Sequence, residues 1–279
     1  MKISILTATY NRAEKLSRMI DSIKSQEHEN WELFIVDDGS TDETKFLLSS
    51  LNDERITYFS FEENRGHPVA IYESGVLERL TGDIVSFIGS DDYFKDDIFK
   101  IIISIFNNEP SEVWKIGFFF DTEDGLLHED HNRVITKSFL SNEIMSDKYV
   151  QSDYLFFYRN IFWKKFMNYF RSPKDFFRSF YDVAMNNLYL EKLNELVVLT
   201  GGWGEDNITK GKNADIYFEW SLFTRQYLFD NYKDNMGKKY YRYTLNSLIR
   251  NLLIFKGRKK DSFPYIFLGL KNLSINFLD

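Results

Sequence analysis

Two adjacent carboxylates, Asp91 and Asp92, are the clearest candidates for chemistry in this sequence, and they follow an apolar run at residues 84–88. Neighbouring carboxylates repel each other unless a cation or strong hydrogen-bond donors lie close by. Their oxygens are also the ligands that Mg²⁺ and Mn²⁺ prefer. The pair therefore predicts a divalent-metal site, with a simple helix-capping turn as the alternative.

Two further polar clusters follow apolar runs nearer the N-terminus. Residues 9–12 are Thr-Tyr-Asn-Arg, after a run at 3–8, and residues 37–40 are Asp-Asp-Gly-Ser, after a run at 33–36. Any one cluster could be an ordinary turn, because Asp, Asn and Ser cap helices and Gly makes turns. Three clusters at successive strand ends indicate a ligand site, since ligands of open α/β sheets bind beyond the carboxyl ends of the strands.

The elements that must position these clusters alternate between strands and helices. Leu16, Met19, Ile20 and Ile23, for example, have the spacing of an amphipathic helix. We predict strands at residues 3–8, 33–36, 56–61 and 84–88, and helices at residues 13–23, 43–51, 68–80 and 96–106. Such alternation is typical of an α/β fold with a mostly parallel central sheet flanked by helices.

The pattern becomes less regular after Pro110. We predict a strand at residues 113–120, a polar loop at 121–130, aromatic-rich helices at 154–170 and 176–193, a strand at 196–199 and a mostly helical segment from 217 onward. The predicted domains are a catalytic domain at 1–215, with halves at 1–105 and 106–215, and a helical, basic and aromatic C-terminal region at 216–279.

Composition and charge exclude several classes of protein. The 279 residues include no Cys and only 4 His, so the chain is not a disulfide scaffold and a zinc site is disfavoured. Neither GxGxxG nor GxxxxGK[ST] occurs, which argues against dinucleotide dehydrogenases and P-loop NTPases. Residues 216–279 contain 11 basic and 5 acidic residues, whereas the remainder contains 24 and 37, which argues against a nucleic-acid partner. No membrane-spanning run or secretion signal is evident, which predicts a cytoplasmic protein.

Four ordered motifs give the chain a resemblance to a known family. The motifs lie at residues 4–12, 33–42, 63–66 and 82–92, the last one leading from Gly-Asp to Ser-Asp-Asp. Together they resemble family-2 glycosyltransferases of the GT-A fold over about the first 105 residues. The resemblance implies a nucleotide-sugar donor, and it says little about which sugar is moved.

The resemblance also implies roles for individual residues. Positions that match the nucleotide-binding residues of the family are Thr9, Tyr10, Arg12, Asp38 and Asp91, and the position that matches the ligand of Mn²⁺ or Mg²⁺ is Asp92. Tyr10 can pack against a base, and Asp38 can accept hydrogen bonds from a base or ribose. The metal would neutralise charge on the departing nucleoside diphosphate.

Several positions depart from the family pattern. Gly89 stands where many relatives carry a leading carboxylate, and Ile71 and Tyr72 stand where relatives often carry an Arg or Asn, with Arg65 or His67 as possible replacements. Ser179 aligns with the glutamate that usually deprotonates the acceptor.

Asp182, one helical turn after Ser179, is therefore the predicted catalytic base. Asp153, Glu205 and Asp206 are its rivals. The alternative for Asp182 is an ordinary exposed carboxylate on a helix surface.

The C-terminal region combines apolar residues at 252–255 and 263–268 with a basic cluster at 256–260. Such a segment suits contact with an anionic membrane surface, and the alternative is a helix pair that packs on the body or forms a homo-oligomer. The predicted location is cytoplasmic. If the C-terminal region contacts a membrane, the protein would associate peripherally with the inner face of the cytoplasmic membrane.

The resemblance implies a metal-dependent, inverting transferase that uses a UDP-linked sugar. The implied acceptor is a glycan or lipid-linked glycan in bacterial surface polysaccharide or lipopolysaccharide synthesis. The alternative, favoured by Gly89 and Ser179, is a catalytically silent nucleotide- or glycan-binding protein with the same fold.

Overall fold

The computed structural model describes residues 1–122, 125–126, 136–139, 154–186, 189–200, 214–236, 238, 241–242, 244–246 and 248–249. The chain divides into two compact units. The first contains residues 1–138, 152–173 and 189–204, and the second contains residues 139–151, 174–188 and 205–279. This division differs from the predicted boundary after residue 215, because residues 139–151 and 174–188 group with the C-terminal residues.

The first 108 residues alternate between strands and helices, as predicted. The elements are β1 (Ile3–Thr9), α1 (Ala13–Lys24), β2 (Trp31–Asp37), α2 (Thr44–Ser50), β3 (Ile56–Ser60), α3 (His67–Ser74), a 3-10 turn (Val76–Arg79), β4 (Ile84–Phe87), β5 (Asp92–Tyr93) and α4 (Ile98–Asn108). Leu16, Met19, Ile20 and Ile23 of α1 are all at most 1% exposed. The apolar stripe seen in the sequence is therefore the face that covers the sheet.

The rest of the chain completes the sheet and adds helices. The elements are β6 (Val113–Thr122), β7 (Gly125–Leu126), β8 (Thr136–Phe139), β9 (Tyr154–Arg159), α5 (Asn160–Phe166), a 3-10 turn (Pro173–Asp175), α6 (Phe176–Asn186), β10 (Tyr189–Thr200), α7 (Ala214–Tyr232) and a second 3-10 turn (Lys233–Asn235).

The strands within the described ranges form one ten-stranded sheet, in the order β3-β2-β1-β4-β9-β6-β10-β5, with β7 paired to β6 and β8 paired to β10. β1 pairs in parallel with β2 and β4, β2 pairs in parallel with β3, and β6 pairs in parallel with β10. β9 is antiparallel to both of its neighbours, and β5 is antiparallel to β10. The sheet is therefore mostly parallel over its N-terminal half, as predicted.

Two predictions about the second half were wrong in part. Residues 154–170 were predicted as one helix, yet Tyr154–Arg159 is strand β9 and only Asn160–Phe166 is helical. Leu155 and Phe157 alternate with less buried neighbours, because β9 lies between β4 and β6. The helix predicted at 176–193 ends at Asn186, and residues from Tyr189 join the sheet. Aromatic residues occur in both helices and strands, so pairing with neighbouring strands decides which structure these residues adopt.

The second unit contains α6, α7 and the helical residues that follow. Leu222, Phe229, Leu245 and Leu248 form its described apolar core, each at most 2% exposed. Within the described part of the chain, no helix is both long enough and apolar enough to cross a bilayer.

Candidate functional site

The carboxyl ends of β1, β2 and β4 lie side by side at one edge of the sheet. Thr9 at the end of β1 is opposite Asp37 at the end of β2, and Leu6 of β1 is opposite Phe87 of β4. The three polar clusters identified in the sequence directly follow these strand ends. The structure therefore brings them together at the edge where α/β sheets bind ligands.

Asn11 joins the first polar cluster to the second. Its backbone φ is 52°, in the left-handed region that Asn adopts more readily than most residues. Its N–H donates to Ser40 Oγ at 2.9 Å, and its Oδ1 accepts hydrogen bonds from the N–H groups of Thr41 at 2.7 Å and Asp42 at 3.3 Å. Sequence reasoning did not assign this connecting role, although an Asn immediately after a strand is a usable signal for such a turn.

Asp37 is a fully buried structural carboxylate at the end of β2. Its Oδ1 accepts the N–H of Ser40 at 3.0 Å, and its Oδ2 accepts the hydroxyl of Ser60 at 2.7 Å. Both oxygens are therefore engaged inside the protein, and Asp37 stabilises the turn that presents Asp38.

Asp38 connects the end of β2 to the residues that precede α3. It is 3% exposed, and its Oδ1 accepts the N–H of Arg65 at 2.8 Å. Burial raises the pKa of Asp38 above its ordinary value, although the N–H groups of Arg65 and Gly66 act in the opposite direction. A carboxylate can accept about four hydrogen bonds. A base or ribose would therefore have to donate to the acceptor positions of Asp38 that the N–H groups of Arg65 and Gly66 leave open.

Gly39 allows the turn after β2 to approach the segment before α3 closely. Its φ is +78°, and a Cβ built there would overlap the backbone of Glu63 and lie 2.5 Å from Asn64 N. Both the backbone conformation and the available space therefore require glycine at this position.

Arg12 and Asp91 form an ion pair between the ends of β1 and β4. Arg12 Nη1 lies 3.1 Å from Asp91 Oδ2, and each side chain is 17% exposed. Two residues that were separately predicted to bind the nucleotide are thus in direct contact. The guanidinium also neutralises one of the two neighbouring carboxylates, which answers the repulsion expected between them.

The carboxylates of Asp91 and Asp92 converge on Gly89. A Cβ built at Gly89 would lie 2.8 Å from Asp91 Oδ1 and 2.8 Å from Asp92 Oδ2, so one oxygen of each residue faces the same small volume. No group of three or more His, Cys, Asp or Glu residues converges in the described ranges. Two carboxylate oxygens fit Mg²⁺ or Mn²⁺, which often bind through one or two carboxylates together with substrate phosphates.

Two buried hydroxyls lie at this edge without a protein partner. Thr9 Oγ1 and Ser90 Oγ have no hydrogen-bond partner, and the residues are 3% and 1% exposed. Thr9 is the last residue of β1, and Ser90 lies in the turn three residues after Phe87, where the neighbouring strand β4 ends. Unpaired buried hydroxyls are costly and are usually satisfied by water or a ligand. Their position supports the prediction that Thr9 belongs to a ligand site.

Tyr10 and the two proposed replacement residues have distinct surroundings. Tyr10 is 38% exposed, which leaves ring surface for stacking. Arg65 is ion-paired with Glu73. His67 stacks with Phe87, the last residue of β4, at 6.3 Å between ring centroids, and burial lowers the pKa of His67 to about 4. His67 is therefore neutral and contacts the end of β4, whereas the charge of Arg65 is paired with Glu73 on α3.

The positions that depart from the family pattern in α3 face other parts of the protein. Ile71 is fully buried, and the hydroxyl of Tyr72 donates to the carbonyl oxygen of Arg171 at 2.9 Å. Ile71 therefore belongs to the core, whereas Tyr72 is 40% exposed and uses its hydroxyl to hold Arg171.

Gly82 and Asp83 lie at the opposite edge of the sheet, because they precede β4 rather than follow it. The N–H of Gly82 donates to Ser4 Oγ at 2.7 Å, and Asp83 Oδ2 accepts the N–H of Lys2 at 2.8 Å. This part of the fourth motif is therefore structural, and only its Ser-Asp-Asp end reaches the candidate site.

Asp182 lies on α6 in the second unit. It is 5% exposed, and its Oδ1 accepts the hydroxyls of Tyr227 at 2.9 Å and Tyr232 at 2.8 Å. The pKa of Tyr227 is raised by burial and by the hydrogen bond to Asp182, so the phenol remains a donor. The alternative of an ordinary exposed carboxylate is wrong.

Ser179 is fully buried, and its hydroxyl donates to the carbonyl oxygen of Asp175 at 2.8 Å. This bond lies within the helical segment, so Ser179 has a local structural role. Asp153, Glu205, Asp206 and the apolar and basic segment at 252–268 lie outside the described residues. The assignment of Asp182 as catalytic base stays a prediction.

A family model described as "Glycosyl transferase family 2" matches residues 4–193. The chain is 40% identical over 97 residues to the "Putative teichuronic acid biosynthesis glycosyltransferase TuaG" of Bacillus subtilis (strain 168), a match covering 34% of this chain and 38% of that protein. It is 24% identical over 221 residues to the "GalNAc(5)-diNAcBac-PP-undecaprenol beta-1,3-glucosyltransferase" of Campylobacter jejuni, covering 77% of this chain and 70% of that protein.

Solved structures share the fold. The crystal structure of S. aureus TarS 1–349 in complex with UDP-GlcNAc superposes with a TM-score of 0.58 at 16% identity, covering 94% of this chain and 84% of that one. Similarity at this level of identity concerns the fold, and it confirms the predicted α/β class of the GT-A type.

Proposed function

Because the chain belongs to glycosyl transferase family 2, as its motifs predicted, we propose that it transfers a sugar from a nucleotide-sugar donor to a hydroxyl of a glycan acceptor. The observation that supports this most directly is the meeting of Arg12, Asp91 and Asp92 at the carboxyl edge of β1 and β4. A cation, two carboxylates and the buried hydroxyls of Thr9 and Ser90 there offer both charge and hydrogen bonds to a nucleoside diphosphate.

We assign the donor site to residues of the first unit. Tyr10 stacks against the base, Asp38 and Asp91 accept hydrogen bonds from the base or ribose, and Thr9 and Arg12 contact the nucleotide. The proposed nucleotide is UDP. The fold shared with TarS, which was solved with UDP-GlcNAc, supports this choice.

Asp92, with Asp91 beside it, is the proposed position for Mn²⁺ or Mg²⁺. The converging oxygens at Gly89 support it, and donor phosphates would supply further ligands. A bound divalent ion would supply Lewis-acid stabilisation of the charge on the leaving diphosphate. The chain's own contribution is to hold the two carboxylates and Arg12 in place, so that the diphosphate is bound and oriented before the sugar moves.

Asp182 is the proposed base that removes the proton from the acceptor hydroxyl. Attack by that oxygen on the anomeric carbon forms the new glycosidic bond as the bond to the diphosphate breaks, which inverts the configuration. The hydroxyls of Tyr227 and Tyr232 hold the carboxylate in one orientation. A fixed orientation is what a general base requires.

The proposed acceptor is a glycan or lipid-linked glycan of a bacterial surface polysaccharide. The similarity to TuaG, a putative teichuronic acid biosynthesis enzyme, and to the undecaprenol-linked glucosyltransferase supports it. Lipopolysaccharide is one member of this class. A lipid-linked acceptor would also explain peripheral association with the inner face of the membrane through residues 216–279, with self-association as the competing role for that region.

A donor screen tests the function directly. Purified protein is incubated with each nucleotide sugar and Mn²⁺, and released nucleoside diphosphate is measured. Release above the buffer rate from a UDP-sugar is the expected result, and no release from any donor would overturn the proposal. Tight UDP binding without release would instead identify the catalytically silent binding protein.

A further inference from the structure

We infer that helix α1 and the residue two positions beyond its end position the Asp91–Asp92 turn, through a row formed by Arg18, Ser22 and Gln26. The inference rests on the proposed function, because that turn is the proposed metal and diphosphate site. Arg18 and Ser22 are four residues apart and lie on the same face of α1. Gln26 follows two residues after α1 ends at Lys24, and its side-chain amide is tied to the helix by the carbonyl oxygen of Ser22. Each of them contacts the segment that directly follows Asp92.

Ser22 and Gln26 make the hydrogen bonds of this row. The N–H of Phe94 donates to Ser22 Oγ at 3.0 Å. Gln26 Nε2 donates to the carbonyl oxygen of Lys95 at 2.8 Å, and Gln26 Oε1 accepts the N–H of Phe99 at 3.2 Å. These are bonds to backbone groups, so they fix the path of the chain immediately after β5.

Arg18 extends the row towards the site. Its guanidinium lies 4.2 Å from the centroid of the Tyr93 ring, a cation–π distance. Tyr93 is the direct neighbour of Asp92. At the start of the same helix, Arg12 contacts Asp91. The site and the segment that follows it are therefore contacted by Arg12 immediately before α1, by Arg18 and Ser22 within it, and by Gln26 just after it.

The opposite side of the turn is held by the sheet. Asp92 pairs with Thr200 and Tyr93 pairs with Leu199, in antiparallel register with β10. The two-residue strand β5 is thus held between β10 and the residues that contact α1. A two-residue strand has little stability of its own, so both supports are needed to hold the Asp92 carboxylate in one place.

Packing alone does not explain Gln26. It is 4% exposed, and an apolar residue would fill a core position without needing hydrogen-bond partners. Its side-chain amide also donates to the carbonyl oxygen of Ser22 at 2.9 Å. Its three bonds reach α1, Lys95 and Phe99, so this buried amide links the helix to the chain on the far side of the turn.

The test measures metal-dependent nucleotide binding rather than transfer. The affinity of the full chain for UDP is measured by calorimetry with Mn²⁺ and again with EDTA, for wild type, Ser22→Ala and Ser22→Thr. Removing the hydroxyl leaves the Phe94 N–H without its acceptor, so Ser22→Ala should weaken the Mn²⁺-dependent part of UDP binding by about tenfold, as supporting residues around metals do. Ser22→Thr retains a hydroxyl and should restore it.

Ser25→Ala is the matched control. Ser25 is exposed and immediately follows α1, and its hydroxyl donates to the carbonyl oxygen of Ser22 at 3.1 Å. It should bind UDP and Mn²⁺ like wild type. Arg18→Met is the second variant: it removes the charge above Tyr93 and, in protein whose unfolding midpoint matches wild type, it should weaken the same Mn²⁺-dependent part.

The outcomes separate the two proposals. Wild-type binding of UDP that is strengthened by Mn²⁺, together with unchanged values in folded Ser22→Ala and Arg18→Met, would overturn the positioning role and leave the proposed function standing. Wild-type protein that binds no UDP under either condition would overturn both. A loss in both variants with rescue by Ser22→Thr is the expected result, since a merely structural role would lower the stability and not the Mn²⁺ dependence.

Discussion

Arg12 and Asp91 are 79 positions apart in the sequence, yet Arg12 Nη1 lies 3.1 Å from Asp91 Oδ2. The pair joins the turn after β1 to the turn after β4. It also gives the site an internal cation beside two carboxylates. A divalent ion bound at the position proposed beside Asp92 would therefore lie close to a guanidinium that is already paired with Asp91.

This ion pair predicts effects of opposite sign when Arg12 is changed. Arg12→Met should raise the affinity for Mn²⁺ alone by about fivefold, because a partly exposed ion pair is worth about 1 kcal/mol. The same change should lower the affinity for UDP, because a cation is lost from the diphosphate site. Calorimetric titrations of Mn²⁺ and UDP check both. Arg12→Lys keeps the charge and serves as control; a fall in both affinities for Arg12→Met would contradict this account.

Asp92→Asn should remove the metal dependence of the protein. The substitution keeps the shape of the side chain but loses its charge, so UDP binding in Mn²⁺ should fall to the EDTA value, a change of at least about 100-fold in the Mn²⁺-dependent part. Exposed Asp96, four residues on, provides the control Asp96→Asn. Wild-type metal dependence in Asp92→Asn would show that the metal lies elsewhere.

Gly39→Ala should be more damaging than a matched change at Gly75. Both glycines have positive φ, at +78° and +63°, but a Cβ at Gly75 meets nothing within 4 Å whereas one at Gly39 overlaps Glu63. The conformational cost is about 1 kcal/mol at each site, and the overlap adds about 2 kcal/mol at Gly39. Urea unfolding measures the difference. Equal losses of stability would mean that the segment before α3 moves away freely.

Asp182→Asn should abolish transfer while leaving the donor site intact. Asn keeps an oxygen that accepts from Tyr227 and Tyr232, so the helical unit should fold, but it cannot take up a proton. We expect transfer to fall at least about 100-fold, as for loss of a general base, with unchanged UDP affinity. Asp234→Asn, at an exposed position, is the control. Full transfer by Asp182→Asn would remove Asp182 from the mechanism and direct attention to its rivals.

The donor half of the fold was predictable because its signals are local. Each strand from β1 to β4 is a short, largely apolar run. Each is followed by turn-forming residues or by apolar residues at helical spacing, so both kinds of element can be recognised locally. Parallel strands place their carboxyl ends at one edge, so the meeting of the motifs at Thr9, Asp38 and Asp91 followed from the topology. The resemblance then supplied roles that spacing alone would not give.

Features set by distant partners were not predictable in the same way. β9 is a strand because β4 and β6 flank it, and the aromatic run at 154–159 also fits a helix. Likewise, nothing near Arg12 in the sequence indicates that its partner is Asp91. The surroundings of Asp182 depend on Tyr227 and Tyr232, which lie on helix α7, 45 and 50 residues further along the chain.

Gly89 stands where the resemblance to the family implies a leading carboxylate. The position is enclosed by Asp91 Oδ1 and Asp92 Oδ2, each 2.8 Å from where a Cβ would stand. A side chain introduced at 89 would force both carboxylates to rotate before it could contribute an oxygen of its own. The absence of a side chain at Gly89 is therefore what lets the two carboxylate oxygens approach the same small volume, and any residue introduced there would change their spacing.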